Sequence, residues 1–248
     1  MNGMLTKFIF SITEKVLFRR TPVLYRWVYS IYKSITDRAE RNLCRSLIHP
    51  GMIVADVGAN IGIYTDFFRK LVGSGGEVHA FEPEPTNFRL LSNALSSYDN
   101  IFLNQSGVGG GNENIFLYIS QSLNVDHRTY KCSEERDRVL VDCIALDDYF
   151  NNDKSVDFIK IDIQGYEYHA LSGMRRVLED NNQLKILAEY FPYGLEATGY
   201  SGSKLRTFLM ERGFLLYSVT NRGNLLALRE REPRLNSLGY TNIFAQRC

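Results

Sequence analysis

Residues 53–62 read IVADVGANIG. A short apolar run, Ile53 to Val57, carries one acid, Asp56, and glycines follow at 58 and 62. Such a run, closed by glycine, reads as a buried strand. The glycines let the backbone approach a ligand and take conformations that a Cβ forbids. Open parallel sheets bind ligands beyond the carboxyl ends of their strands. The stretch therefore predicts a binding loop at the tip of the first strand, with a helix start behind it offering free N–H groups.

The segments on either side support that reading. Residues 63–72 (IYTDFFRKLV) have helical spacing and stop at Gly73. Residues 77–83 (EVHAFEP) read as a second strand, 86–95 as a helix and 101–105 (IFLNQ) as a third strand. Alternation of this kind means parallel strands with crossover helices. The rhythm then breaks: 114–120 (NIFLYIS) and 138–146 (RVLVDCIAL) read as strands flanking a small insertion after the third strand. It resumes with a strand at 156–163 (VDFIKIDI), a helix over 167–178, a strand at 184–190 and a helix over 203–212. Strands at 214–220, 224–230 and 241–247 close the chain. The expected fold class is α/β, a doubly wound and mostly parallel sheet with antiparallel strands at one end.

The 248 residues suffice for one large α/β domain. No apolar run is long enough to cross a membrane. Cys44, Cys132, Cys143 and Cys248 form no CxxC pair and read as reduced thiols of a cytoplasmic protein. A net charge of +1 argues against a general nucleic-acid binder. That total hides an asymmetry. Residues 1–50 hold nine Lys or Arg against three acids, which leaves an excess of five acids in 51–248. The basic part also carries many large apolar residues, among them Phe8, Phe10, Phe18, Tyr25, Trp27 and Ile31. It reads as a helical extension of two amphipathic helices broken near Thr21-Pro22. Such helices cap a domain, form a homodimer face or lie on an anionic membrane surface. The expected division is 1–50 as this extension and 51–248 as the main domain.

Glu82 follows Gly58 by twenty-four residues, at the end of the second strand, where an acid can accept hydrogen bonds from ribose hydroxyls. A dinucleotide site is one reading, but the GxGxxG fingerprint is missing and Asp56 would repel a pyrophosphate. The acid makes sense beside a cation. S-adenosylmethionine supplies an ammonium for Asp56, a carboxylate for the loop amides and a ribose for Glu82. A lone strand-end Asp is also a common helix cap, and a glycine pair a common turn; here they occur together at one spacing.

Three stretches, DVGANIG (56–62), AFEPEPTNFRLLSNAL (80–95) and DFIKIDIQGYEYHALSG (157–173), resemble the FkbM family of class I methyltransferases. The likeness covers about residues 45–190. It implies a seven-stranded Rossmann-like sheet, S-adenosylmethionine as cofactor, and O-methylation of a hydroxyl on a glycan or small hydroxylated metabolite. It also implies cofactor roles for Asp56, Gly58, Asn60, Gly62 and Glu82. The insertion, with its Asp126-His127-Arg128 triplet and the later LDDYF (146–150), is similar to that of one subgroup. One position departs: the family pattern Asp-x-Glu-Gly-x-Glu has Gln164 in place of the middle Glu. Alternatives are an NAD-dependent sugar-modifying oxidoreductase and a degenerate domain that binds cofactor without turnover.

Methyl transfer to a hydroxyl needs the oxygen held in line with the methyl and a base for its proton. Asp162 ends the fourth parallel strand beside the first, and Lys160 shares its face two residues earlier. His127 titrates near neutrality and is expected as the mobile base. Arg128 is expected to hold an anionic part of the acceptor, with Gln164 and Glu189 on the same acceptor side. Asp162 and Glu189 also allow a Mg²⁺ reading, which the amide at 164 weakens.

Overall fold

The computed structural model describes residues 21–120, 126–131, 135–150, 155–220, 223–228 and 232–247. The first expected amphipathic helix, within residues 1–20, lies outside them. Thr21-Pro22 proves to be a helix start: α1 spans Pro22–Thr36, with proline in its first turn, where its missing N–H costs nothing. After Asp37, α2 spans Arg38–Leu47.

The main domain begins with β1 (Ile53–Val57), α3 (Ile63–Val72), β2 (Glu77–Phe81), α4 (Pro85–Leu95) and β3 (Ile101–Asn104). The insertion follows as β4 (Gly107–Val108), β5 (Glu113–Tyr118) and β6 (Arg138–Ile144), which form a separate sheet in the order β4-β6-β5. A short helix α5 (Leu146–Tyr149) leads back to β7 (Phe158–Ile161). The remaining elements are α6 (Glu167–Ser172), α7 (Arg175–Asp180), β8 (Lys185–Tyr190), α8 (Pro192–Ala197), α9 (Gly202–Met210), β9 (Phe214–Val219), β10 (Leu225–Ala227) and β11 (Thr241–Arg247).

The main sheet runs β10-β9-β11-β8-β7-β1-β2-β3. Pairs from β8 through β3 are parallel, and β11 is antiparallel to both neighbours. This is the doubly wound, mostly parallel arrangement expected from the sequence. It has eight strands among the described residues rather than seven, because the short β10 adds an edge. The chain winds outward from β1 in one direction through β2 and β3, and in the other through β7 and β8. The crevice at that reversal, above the tips of β1 and β7, is where such sheets bind ligands.

Side chains alternate along β1. Ala55 and Val57 enter one core layer with Ile159, Ile161, Leu171 and Met174. Val54 enters the other with Phe67, Phe68, Phe158 and Leu187. Leu43, Cys44 and Ile48 belong to this second layer too. A division at residue 50 therefore separates residues that share one core. The helix expected over 167–178 is two, α6 and α7, broken at Gly173. There the carbonyl of Gly109 from the insertion comes so close that a Cβ on Gly173 would lie 1.9 Å from it. α8 was not legible as a helix, because Pro192 and Gly194 are poor helix formers.

Candidate active site

The loop after β1 is folded back onto the tip of β2. The N–H groups of Gly58 and Ala59 both donate to the Phe81 carbonyl at 3.0 Å. Gly58 has φ +85, and a Cβ there would stand 2.1 Å from the Asp162 carbonyl oxygen. Only glycine lets the loop lie this close to the β7 tip. Glu82 is buried and held by two backbone donors: Asn60 N–H reaches its Oε2 at 2.8 Å and Glu84 N–H its Oε1 at 2.9 Å. Burial pushes its carboxyl up to about 8 against the pull of those N–H groups. Gly62 closes the loop as the cap of α3, in the left-handed region.

α1 braces the loop from outside. Arg26 donates from Nε to the Ile61 carbonyl at 3.1 Å and from Nη2 to the Gly62 carbonyl at 3.2 Å. Tyr25 and Tyr29 pack on Ile61 and Ile63. α1 thus packs over the loop and the start of α3. Arg26→Ala should lower unfolding stability by about 1.5–3 kcal/mol, the range for hydrogen bonds made by a charged group. Urea unfolding checks this, and a loss too small to measure would mean the brace is idle.

Gly58, Asn60, Glu82, His127, Asp162 and Gln164 meet around one pocket of about 620 Å³, counting its open mouth. Its apolar wall is Phe81, Pro83, Val108, Ile115 and Leu117, the last three from the insertion. An apolar cleft with an acid at one end suits a nucleoside. Among the described residues, His127 Nε2 and Thr129 Oγ1 are buried without a hydrogen-bond partner, and both residues line this pocket. Buried polar atoms ordinarily have a partner.

His127 departs from the role expected of it. Its Nδ1 accepts from the Ser120 N–H at 3.1 Å, so in the neutral ring the proton sits on Nε2. Burial holds the imidazole below its usual pKa, despite Glu84 and Asp126. At neutral pH Nε2 of His127 is therefore a donor, not a lone pair. Arg128 is engaged by its neighbour: its Nε donates to Asp126 Oδ1 at 2.7 Å.

Of the other expected residues, Asp162 and Gln164 reach the pocket wall, and Asp56, Lys160 and Glu189 stand behind it. Asp56 is fully buried on the α3 face, its Oδ2 accepting from Thr65 Oγ1 at 2.7 Å. It does not line the pocket, because residues 54 and 56 point to the α3 side of the sheet. In register Asp56 lies beside Lys160. Lys160 Nζ donates to Asp162 Oδ2 at 3.0 Å. Burial would raise the Asp162 carboxyl, but Lys160 and then Lys33 outweigh it and hold the group below the usual carboxylate range. Gln164 Nε2 donates to Glu189 Oε2 at 2.8 Å and to Asp162 Oδ1 at 3.3 Å. A glutamate at 164 would place three carboxylates together, whereas the amide joins the two that exist. Burial, then Asp162, push the Glu189 carboxyl well up. Among the described residues no group of three or more His, Cys, Asp or Glu is placed to hold a metal ion.

Two further contributors escape sequence reasoning. Glu167 is fully buried and accepts from the Gly165 N–H at 3.0 Å and the Ile163 N–H at 3.3 Å, which shapes the loop carrying Gln164. Its position in the DIQGYE motif was the available signal. Lys33 comes from α1, 129 residues away in the chain, and no local pattern marks it. Its Nζ pairs with Asp37 at 2.7 Å, Asp37 accepts from Tyr64, and the Tyr64 ring lies under Lys160. This chain of contacts ties the extension to the acid cluster.

The family model described as Methyltransferase FkbM domain matches residues 56–216. No curated protein matches the chain in sequence. Among solved structures, an rRNA methylase from Streptococcus thermophilus is similar at a TM-score of 0.50 and 14% identity, covering 86% of this chain and 96% of that one. A protein from Clostridium thermocellum, titled as an rRNA methylase, is similar at 0.52 and 14%, with 85% and 94% covered. At these identities the structures share the fold.

Proposed function

The chain belongs to the FkbM methyltransferase family and uses S-adenosylmethionine, and on that premise we propose that it methylates a hydroxyl of a glycan or small hydroxylated metabolite. The observation that carries this reading is a carboxylate on the pocket wall, Asp162, which accepts from Lys160 and from Gln164, itself bonded to Glu189. The excess of acids over bases in residues 51–248 opposes a polyanionic acceptor such as RNA.

The cofactor supplies a methyl group on a sulfonium. The residues that would hold it are those already gathered: Glu82 for the ribose hydroxyls, the Gly58–Gly62 loop for the amino-acid end, and the apolar wall for the base. His127 Nε2 and Thr129 Oγ1 would pair with polar atoms of the nucleoside. Asp162 has a pKa too low to ionise a free hydroxyl. As the carbon–oxygen bond forms, however, the hydroxyl proton becomes strongly acidic, and a weak base at hydrogen-bond distance takes it late in the step. Lys160 fixes the Asp162 carboxylate, and Gln164 keeps Glu189 bonded beside it.

The test is transfer of labelled methyl from S-adenosylmethionine to a panel of saccharides and hydroxylated metabolites. An alkali-stable methyl ether is expected. Label entering an amine or RNA, or no release of S-adenosylhomocysteine with any acceptor, would overturn the reading. His127→Ala should weaken cofactor binding about 2–12-fold, as for one neutral hydrogen bond of 0.5–1.5 kcal/mol. His127→Gln should recover part of it. Calorimetry decides, and unchanged affinity would free His127 from the cofactor.

A further inference from the structure

α1 has two apolar faces, and among the described residues only one is packed. Tyr25 and Tyr29 turn inward onto the cofactor loop. On the other side Val23, Trp27, Ile31 and Ile35 recur every four residues and form one stripe, widened by Leu24. All are exposed: Val23 84%, Trp27 63% and Ile35 70%. A continuous apolar stripe of this kind on a folded protein marks a surface that meets something.

The occupant is indicated by charge. Residues 1–20 lead directly into this helix. They carry Lys7, Lys15, Arg19 and Arg20 against the single acid Glu14, among Leu5, Phe8, Ile9, Phe10, Ile12, Val16, Leu17 and Phe18. A second copy carries the same positive excess and so offers this end of the chain no complementary charge, whereas an acidic surface does. An anionic bilayer neutralises the basic side chains and takes the apolar ones at its acyl boundary. Tryptophan is favoured at that depth. We propose that the stripe Val23-Trp27-Ile31-Ile35 seats the enzyme on an anionic lipid surface, as a peripheral contact rather than a span. No helix among the described residues is long and apolar enough to cross a membrane. The helix that braces the cofactor loop through Arg26 is then the one that lies on the lipid.

Trp27 is the only tryptophan of the chain, so its fluorescence reports this face alone. The full chain is mixed with vesicles of phosphatidylcholine and phosphatidylglycerol in equal parts, or of phosphatidylcholine alone. With the anionic vesicles its emission should shift to the blue, acrylamide quenching should fall, and the protein should float with the lipid. Rising salt should weaken all three. Ile31→Asp with Ile35→Asp should cut the bound fraction roughly tenfold or more, since two apolar side chains are replaced by charges that an anionic surface repels. Cofactor affinity should stay unchanged, which separates this result from a failure of the methyltransferase reading. Emission unmoved by anionic vesicles overturns the proposal. Emission already blue without lipid also overturns it: dependence on protein concentration would assign the stripe to a second copy, and independence to the chain's own first twenty residues.

Discussion

Asp162→Asn should lower turnover by about 10²–10⁴-fold, the range for losing a group that takes a proton in the transition state. The substitution keeps the shape and the bond to Lys160 but removes the acceptor's charge. Asp162 is the one carboxylate on the pocket wall held ionised, because Lys160 and Lys33 outweigh its burial. Glu82 and Glu189 are pushed the other way. S-adenosylhomocysteine binding, read by calorimetry, should change far less than turnover. Asn in place of Asp removes the charge facing Lys160 and turns its own NH2 toward the Gln164 donor, so some stability is lost as well, and an unfolding curve must accompany the rates. Lys160→Met is the companion variant. It should lift the Asp162 pKa and move the acid side of the pH–rate profile upward, which a purely structural lysine would not do. Turnover within threefold of wild type in Asp162→Asn would place the base elsewhere. Glu189 is then next, because it shares the Gln164 amide.

The parts of this site that were legible in sequence are those made by neighbours in the chain. Val57, Gly58 and Gly62 announce a strand tip and a turn, and Glu82 sits where the next strand must end. Periodicity places α3 at its observed bounds, because Gly62 and Gly73 close both ends. What was not legible depends on which groups meet in space. Whether His127 donates or accepts is decided by the Ser120 N–H on its far side, which composition does not show. Asp56 was expected to face a cation of the ligand. Its strand position turns it instead toward Thr65 and Lys160, so its charge reaches the crevice only through its neighbour. Gln164 reads in sequence as a missing charge. In space it is the donor that two close carboxylates require. The extension was legible as amphipathic, but not that Arg26 would grip the carbonyls of the cofactor loop.

Glu82→Ala should weaken S-adenosylmethionine binding by about 1.5–3 kcal/mol, or about 10–150-fold, as expected for a lost charged hydrogen-bonding partner. It should also free the Asn60 and Glu84 N–H groups that now hold the carboxylate, so part of the loss comes from the loop itself. Glu82→Gln separates the two causes, since its amide oxygen can keep one of those bonds. The pH dependence is the sharper measurement. Burial raises this carboxyl to about 8. Because the folded value is raised, the group's contribution to stability is fully present at acid pH and is lost as pH rises through 8. Binding has the opposite sign. Ribose hydroxyls donate to a carboxylate better than to a carboxylic acid, so the cofactor selects the ionised form and lowers that pKa. Affinity should therefore climb as pH rises toward and through 8, and the protein should release a proton on binding below that pH. Titration of the ligand's own amino group adds equally to wild type and Glu82→Gln, so the difference between their profiles isolates Glu82. Identical profiles for the two proteins would remove the ribose from Glu82, and the pocket's acid would then serve only to hold the Gly58–Gly62 loop.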